Sequence, residues 1–255
     1  MLFTKTIASL LAVAGFGGVA LAAPASSSSL EVRDDFASHH DSSLLTRDDS
    51  SDSDSDGLFR SLDIDDDVWE ALGKLCREGA GAHVDTKRDL FVRASKPDGF
   101  DEIKPGNYDG KFKVVPGGLW TDFLVSCHGI VVTGESANPV AKNRFLGHSF
   151  ATAAALDDMW SKMKKDIEGA GLSNIKAYLS VPDLSNDLPN SWDDDLTDAA
   201  KKVEQTMTTN LKSLTGSVVV KTHKMKESSA KTSNEGTMQV AADLKVQING
   251  QDVTQ

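Results

Sequence analysis

The sequence predicts an α/β fold of the α+β kind, a single sandwich domain with a mixed sheet flanked by two main helices. Three observations carry this expectation. Leu156, Met159, Trp160, Met163 and Ile167 recur at helical spacing in the segment Ala151 to Gly169, which Gly169-Ala170-Gly171 closes. A second amphipathic run, Leu196 to Leu214, follows the acidic start Asp193-Asp194-Asp195 and is closed by Gly216. The segments around both helices are short, apolar and rich in β-branched residues, and Pro and Gly interrupt them. The order strands, helix, strand, helix, strands suits a layered domain.

The first 22 residues have the form of a secretory signal. Lys5 gives a positive start, Ile7 to Ala14 an apolar run, and Ala20-Leu21-Ala22 a small-residue cleavage site. The expected location is therefore extracellular. The run is too short for a membrane span, and no later stretch is long enough, so stable membrane insertion is not expected. Residues 23–67 read as a disordered acidic leader or pro-segment. Between Glu31 and Asp67 there are 13 acidic residues against 3 basic ones, with a Ser/Asp run from Asp48 to Asp56. Dense like charge with little apolar area cannot offset chain entropy. Arg33, Arg47 and the dibasic Lys87-Arg88 are candidate processing points.

The formal net charge of the chain is −11. The leader carries nearly all of it and leaves residues 68–255 close to neutral. That excludes a strongly basic nucleic-acid surface and a strong steering field for charged substrates. The expected partner is a protein, as substrate or as binding partner, and the sequence is silent on oligomeric state. About 165–190 residues are left for the fold, enough for one domain with a sizeable core.

Within that part, residues 68–111 are expected to form a short helix and a loop, and 112–255 the α/β domain. Asp65-Asp66-Asp67 caps a helix that runs to Cys76, with Val68, Leu72 and Leu75 on one face. Residues 95–110 carry Pro97, Gly99, Pro105, Gly106 and Gly110 and read as loop. Phe112 to Val115 reads as a strand stopped by Pro116-Gly117-Gly118. Leu119 to Ser126 and Gly129 to Thr133 follow as strands. Arg144 to Phe150 alternates, which puts His148 on a strand face with Leu146 and Phe150. Ile175 to Val181, Val218 to His223 and Met238 to Ile248 complete the strands, and Asn249-Gly250 is a turn.

The candidate chemistry sits at Cys127, which ends an apolar run and is followed by His128. A thiolate nucleophile needs a base or cation beside it and a donor for a developing oxyanion. His148 is the candidate base, Thr121 or Ser126 a candidate hydroxyl, and Gly129 permits close approach to the backbone. The alternative for Cys127 is a disulfide with Cys76, the other cysteine, because paired cysteines are common in secreted proteins. His128 lies on the opposite face if the strand is continuous. The six histidines and two cysteines show no zinc-ligand spacing, so no metal and no other cofactor is expected. Asp157-Asp158 and Asp193-Asp194-Asp195 read as N-terminal helix charge. There is no phosphate-binding glycine loop and no nucleophile-elbow motif.

Thr121 and Cys127 with five residues between them, then an apolar segment, a polar loop, the His148 strand and a long helix, resemble the chemoreceptor glutamine deamidase (CheD) family. The catalytic domains of the cytotoxic necrotizing factor toxins are related to it. The resemblance spans roughly residues 112–250. It implies Cys127 as nucleophile, His148 as base and Thr121 as assisting hydroxyl, in deamidation or transglutamination of protein glutamines. The chain departs from the family in a longer Cys-to-His gap. Ser180-Val181-Pro182-Asp183 also stands where the family has Gly-Gly-Ala, and the late Gly-rich turn is missing. The second reading is a non-enzymatic secreted interaction protein stapled by Cys76 and Cys127.

Overall fold

The computed structural model describes residues 57–81, 94–185, 188–225 and 234–254. The signal, most of the leader and all three candidate processing points lie outside them. Among the described residues three helices and ten strands are formed. They are α1 (Asp66–Gly81), β1 (Phe100–Glu102), β2 (Asn107–Phe112), β3 (Gly118–Thr121), β4 (Gly129–Glu135), β5 (Lys142–His148), α2 (Ala153–Gly169), β6 (Ser173–Pro182), α3 (Asp194–Thr215), β7 (Val218–His223), β8 (Met238–Val240), β9 (Val246–Ile248) and β10 (Gln251–Val253).

The α+β class holds, with two mixed sheets in place of the expected one. The first has the order β1-β3-β8-β9-β10, the second β2-β5-β4-β6-β7. Each is antiparallel apart from one parallel pair, β1 with β3 and β6 with β7. Helix α3 supplies the crossover that the parallel β6–β7 pair requires. In β5, Phe145 and Gly147 face α2, where a Cβ on Gly147 would touch Met163 and Met159. Arg144, Leu146 and His148 therefore face the other way, toward the first sheet. The result is helices on one side of the second sheet and the first sheet on the other.

The two long helices follow their sequence signals. Helix α2 buries Leu156, Met159, Trp160, Met163 and Ile167, and the Thr152 side chain caps it by accepting from the Ala155 amide. Helix α3 is capped by Asp193, which accepts from the Leu196 amide at 2.9 Å, and it ends at left-handed Gly216. Asn249 and Gly250 both take positive φ and form the tight turn between β9 and β10.

Several expectations are corrected. The glycines and prolines of 95–110 bound two strands, β1 and β2, rather than a loop. Phe112 ends β2, and Lys113 to Pro116 are a turn rather than a strand. The expected strand 119–126 stops at Thr121. Its strand belongs to the first sheet and β4 to the second, so residues 122–128 must cross the interior between them. The run is apolar because most of it is buried between the sheets, with Phe123 and Val125 half-buried, rather than because it is a strand. The expected strand 238–248 is two strands, β8 and β9, paired through a turn.

The boundary at 67 also moves. Phe59 is fully buried, and its amide and that of Arg60 donate to the Asp157 carboxylate at 2.8 and 3.2 Å. Asp157 therefore anchors the incoming chain on α2. In α1 the buried stripe is Trp69, Leu72 and Cys76, one position round from the expected Val68–Leu72–Leu75 face. Phe59→Ala should cost about 3–5 kcal/mol, the usual price of emptying a buried aromatic site. The guanidinium unfolding midpoint measures it, and an unshifted midpoint would place the 57–64 segment outside the cooperative core.

Candidate functional site

The crossing from Asp122 to His128 carries the backbone from one sheet to the other, and Phe123 within it has φ 58. A bulky residue in the left-handed region is strained and needs surrounding structure to hold it there. The amide of Leu124 donates to the Gly236 carbonyl at 3.1 Å, and the Val125 carbonyl accepts from His223 Nε2 at 3.3 Å. The Val125 carbonyl has no proton to give, so Nε2 carries the hydrogen. His223 Nδ1, 2.9 Å from Ser180 Oγ, is then the acceptor of that hydroxyl. His223 thus ties β6 and β7 to the crossing.

Cys127 is the next-to-last residue of the crossing, and its sulfur is bonded to Cys76 of α1, with Cα atoms 5.4 Å apart. Of the two readings of Cys127, the disulfide is the one formed, and in this form Cys127 offers no thiolate. Cys127 is also not at a strand end, as was expected, but in the irregular crossing before β4.

The other two candidates do meet it. His148 ends β5, and its Nδ1 lies 2.7 Å from Thr121 Oγ1 at the end of β3. The same Oγ1 lies 2.7 Å from the Ile103 carbonyl, which can only accept. The single hydroxyl proton goes to Ile103, so His148 Nδ1–H must donate to Thr121. The lone pair of His148 is therefore on Nε2, which is buried without a partner. A ring nitrogen of His148 and the sulfurs of Cys76 and Cys127 all lie within 4.8 Å of one another. Thr121, Cys127 and His148 are each fully buried.

Sequence reasoning missed what surrounds them. Ser126 Oγ and both ring nitrogens of His128 are also buried without partners. The His128 amide donates to Ser149 Oγ, and the Ser149 amide to the His128 carbonyl. Buried polar groups normally find partners, so several orphans around one cysteine set this part of the core apart. The three clustered histidines gave no signal in the sequence, since residues 128, 148 and 223 come from three separate strands or their approaches.

Arg144, four residues before His148 on the same face of β5, supports the site. It is fully buried, and Nη1 donates to the carbonyl of Phe112 and the side-chain oxygen of Asn143 at 3.1 and 2.9 Å. Nη2 donates to the carbonyls of Val115 and Gly117 at 2.7 and 3.1 Å. It thereby closes the turn that leads into β3 and Thr121. Gly117 takes φ 83 in that turn, where any Cβ would collide with the Gly99 carbonyl. Burial pulls the guanidinium below its usual range by desolvating the cation, while the carbonyls around it favour the charged form.

Burial also holds the histidines neutral. It lowers His148 to about 3 and His128 to about 4. His223 lies well below the usual 6.5, mainly through burial, with further lowering from His128 and His148 and opposition from Asp183. The cluster is thus a set of neutral imidazoles in a dry interior. Two cavities lie away from this cluster. One of about 350 Å³ is lined by Lys113, Glu135, Ser136, Asn143 and Leu244, and another of about 280 Å³ by Lys176, Tyr178, Asp243 and Lys245.

Fold and site together define an α+β sandwich whose interior holds a Cys–His–Thr cluster under a disulfide. No family model matches the chain, and no curated protein matches it. Among the described residues no helix is long and apolar enough to cross a membrane.

Two outcomes are expected. The unfolded chain protonates its histidines below about pH 6.5, whereas the folded chain resists until about pH 3–4. Stability should therefore be complete above about pH 7 and fall as pH drops through that window, with up to three protons taken up on unfolding. Urea midpoints across that range measure it, and a flat profile would show that the histidines are not held neutral. Reduction opens a 51-residue separation and should cost about 2–4 kcal/mol. An unchanged melting temperature in reductant would show that the bond contributes no stability.

Proposed function

We propose that this chain is a secreted amidohydrolase of the Cys–His–Thr type, held latent by the Cys76–Cys127 bond, that deamidates or transglutaminates glutamine side chains of a protein. The observation that carries the reading is the chain of contacts from the Ile103 carbonyl through Thr121 to His148, beside Cys127. It fixes the imidazole with its lone pair on Nε2, the tautomer a general base needs. The resemblance to the CheD family in the order Thr121, Cys127, His148 directs it to glutamine, and the signal-like residues 1–22 direct it outside the cell.

The cycle begins once a dithiol reductant, itself oxidised to a disulfide, has delivered two electrons and two protons to Cys76 and Cys127. His148 Nε2 takes the Cys127 thiol proton, and the sulfur attacks the carboxamide carbon. The proton passes to the departing nitrogen, and ammonia leaves a thioester. Water activated by the same Nε2 adds to the thioester carbon, and collapse returns the thiol and leaves a glutamate carboxylate. An amine in place of water gives transglutamination. Thr121 never exchanges its proton with substrate. It holds Nδ1–H, so it is a positioning residue that keeps the imidazole oriented. Because all three groups are buried, α1 must release Cys76 before a side-chain amide reaches Cys127.

A second reading is favoured by the bond itself. A disulfide between two wholly buried cysteines is a good staple, and a stapled, non-enzymatic interaction protein needs nothing more.

The two readings separate in Cys76→Ser, which frees Cys127 without reductant. For the enzyme, iodoacetamide should modify Cys127 with a thiol pKa at least about one unit below the usual 8.5. Adding His148→Ala should return that profile to the ordinary range. The single variant should release ammonia from a blocked glutaminyl-glycine peptide, and Cys127→Ser should not. A folded Cys76→Ser protein with an ordinary or unreactive thiol would overturn the enzyme reading and leave the staple.

A further inference from the structure

The same residues suit a different chemistry in the reduced state. We propose that the dithiol form binds one zinc-type divalent cation through Cys76 Sγ, Cys127 Sγ and His148 Nε2, with water in the fourth position. The spacing of the sequence gave no zinc pattern, because Cys76, Cys127 and His148 come from a helix, a crossing and a strand end. The fold assembles them. One ring nitrogen of His148 and the two sulfurs lie within 4.8 Å of one another, and all three residues are fully buried.

Three independent features favour a cation over an empty dithiol. The donor set is two thiolates and one imidazole, which are the ligands zinc prefers. With metal–sulfur bonds of about 2.3 Å, sulfurs in a tetrahedral site stand roughly 3.7 Å apart. Two cysteines whose Cα atoms are 5.4 Å apart reach that by side-chain rotation. The imidazole is also prepared. Metal-bound histidines usually give their other ring N–H to an oxygen acceptor. His148 Nδ1–H already donates to Thr121, whose hydroxyl is fixed by Ile103, and Nε2 is a buried lone pair with no partner.

The redox step balances with a dithiol reductant. One of its thiolates attacks a sulfur of the pair and forms a mixed disulfide. Its second thiol closes the reductant's own disulfide. Two electrons and two protons pass to Cys76 and Cys127. Metal binding then releases those two protons to solvent. The cation would replace one covalent cross-link between α1 and the crossing by another. This inference does not rest on the amidohydrolase reading and competes with it, since a metal-bound Cys127 is no longer a free nucleophile.

The test uses cobalt(II) as the probe. The full-length protein is reduced with a phosphine, which carries no thiol, and titrated anaerobically. One cobalt per chain is expected, with thiolate-to-metal charge transfer in the near ultraviolet and the intense visible bands of a tetrahedral site. Zinc should displace the cobalt and raise the melting temperature of the reduced protein. The oxidised protein should give neither band. Thr121→Val keeps the shape but removes the acceptor for Nδ1–H, and should weaken binding about ten- to a hundredfold. His148→Ala should change the visible bands and lower affinity further. Absence of charge transfer in the reduced wild type would overturn the proposal. So would cobalt affinity and bands in Thr121→Val and His148→Ala that match the wild type. If His148→Ala does not fold, Thr121→Val decides alone.

Discussion

Between Thr121 and Gly129 the chain must leave one sheet and enter the other, and the centre of the molecule is arranged around that passage. The crossing brings seven residues of backbone through a largely buried passage, away from the ladders that would satisfy it. Its amides and carbonyls find partners instead on the loop before β8, on β7 and on the residue after β5. The Cys76–Cys127 bond fastens it from the side of α1. What looks like an inventory of separate features, a strained Phe123, a histidine on β7 and a serine after His148, is one requirement met several times. A crossing held at this many points is also rigid, and rigidity fixes where Cys127 stands relative to His148.

The polar interior around the crossing is costly. An imidazole with both nitrogens unpartnered, as in His128, and an orphaned Nε2, as in His148, are each worse than an apolar residue of similar size at the same place. Arg144 is a contrasting case. It is as deeply buried, but four of its donor contacts are met by three carbonyls and an amide oxygen, and only Nε is left over. The fold can thus satisfy a buried cation well when the purpose is to close a turn. That it leaves the histidines beside Cys127 unsatisfied points to a demand other than stability there.

Much of this could be seen in the sequence, and the exceptions share one cause. Helix α2 was legible because its five buried residues repeat at helical spacing, and α3 because Asp193 and Gly216 mark its ends. Thr121, Cys127 and His148 were also visible as a trio, from their order alone. Hidden were features that depend on which sheet a segment joins. Leu119 to Ser126 reads as one strand because burial between the sheets and burial in a strand give the same apolar run. Phe59 lies in an acidic stretch whose charge masks a single well-buried ring. His223 joined the site only because β7 and the crossing pass close together. No local pattern encodes that meeting.

A single sulfur now carries three incompatible roles. In the oxidised chain Cys127 is half of a cross-link. As a thiolate beside His148 it would be the proposed nucleophile, and with Cys76 and His148 around a cation the proposed ligand. The imidazole distinguishes among them. A cross-link has no use for the Nε2 lone pair and would be better served by an apolar neighbour. A nucleophile and a ligand both need that lone pair, and both need Nδ1–H tied down as Thr121 ties it. The two remaining roles differ in what they ask of Cys76. A nucleophile requires it to leave, because Cys76 is bonded to the buried Cys127 sulfur. A ligand requires it to stay within reach, and the anchoring of Phe59 and Arg60 amides on Asp157 helps keep the approach to α1 in place whatever the state of the bond. The hold of α1 on the body of the protein, rather than the chemistry of Cys127 itself, is what decides which of the two the reduced protein adopts.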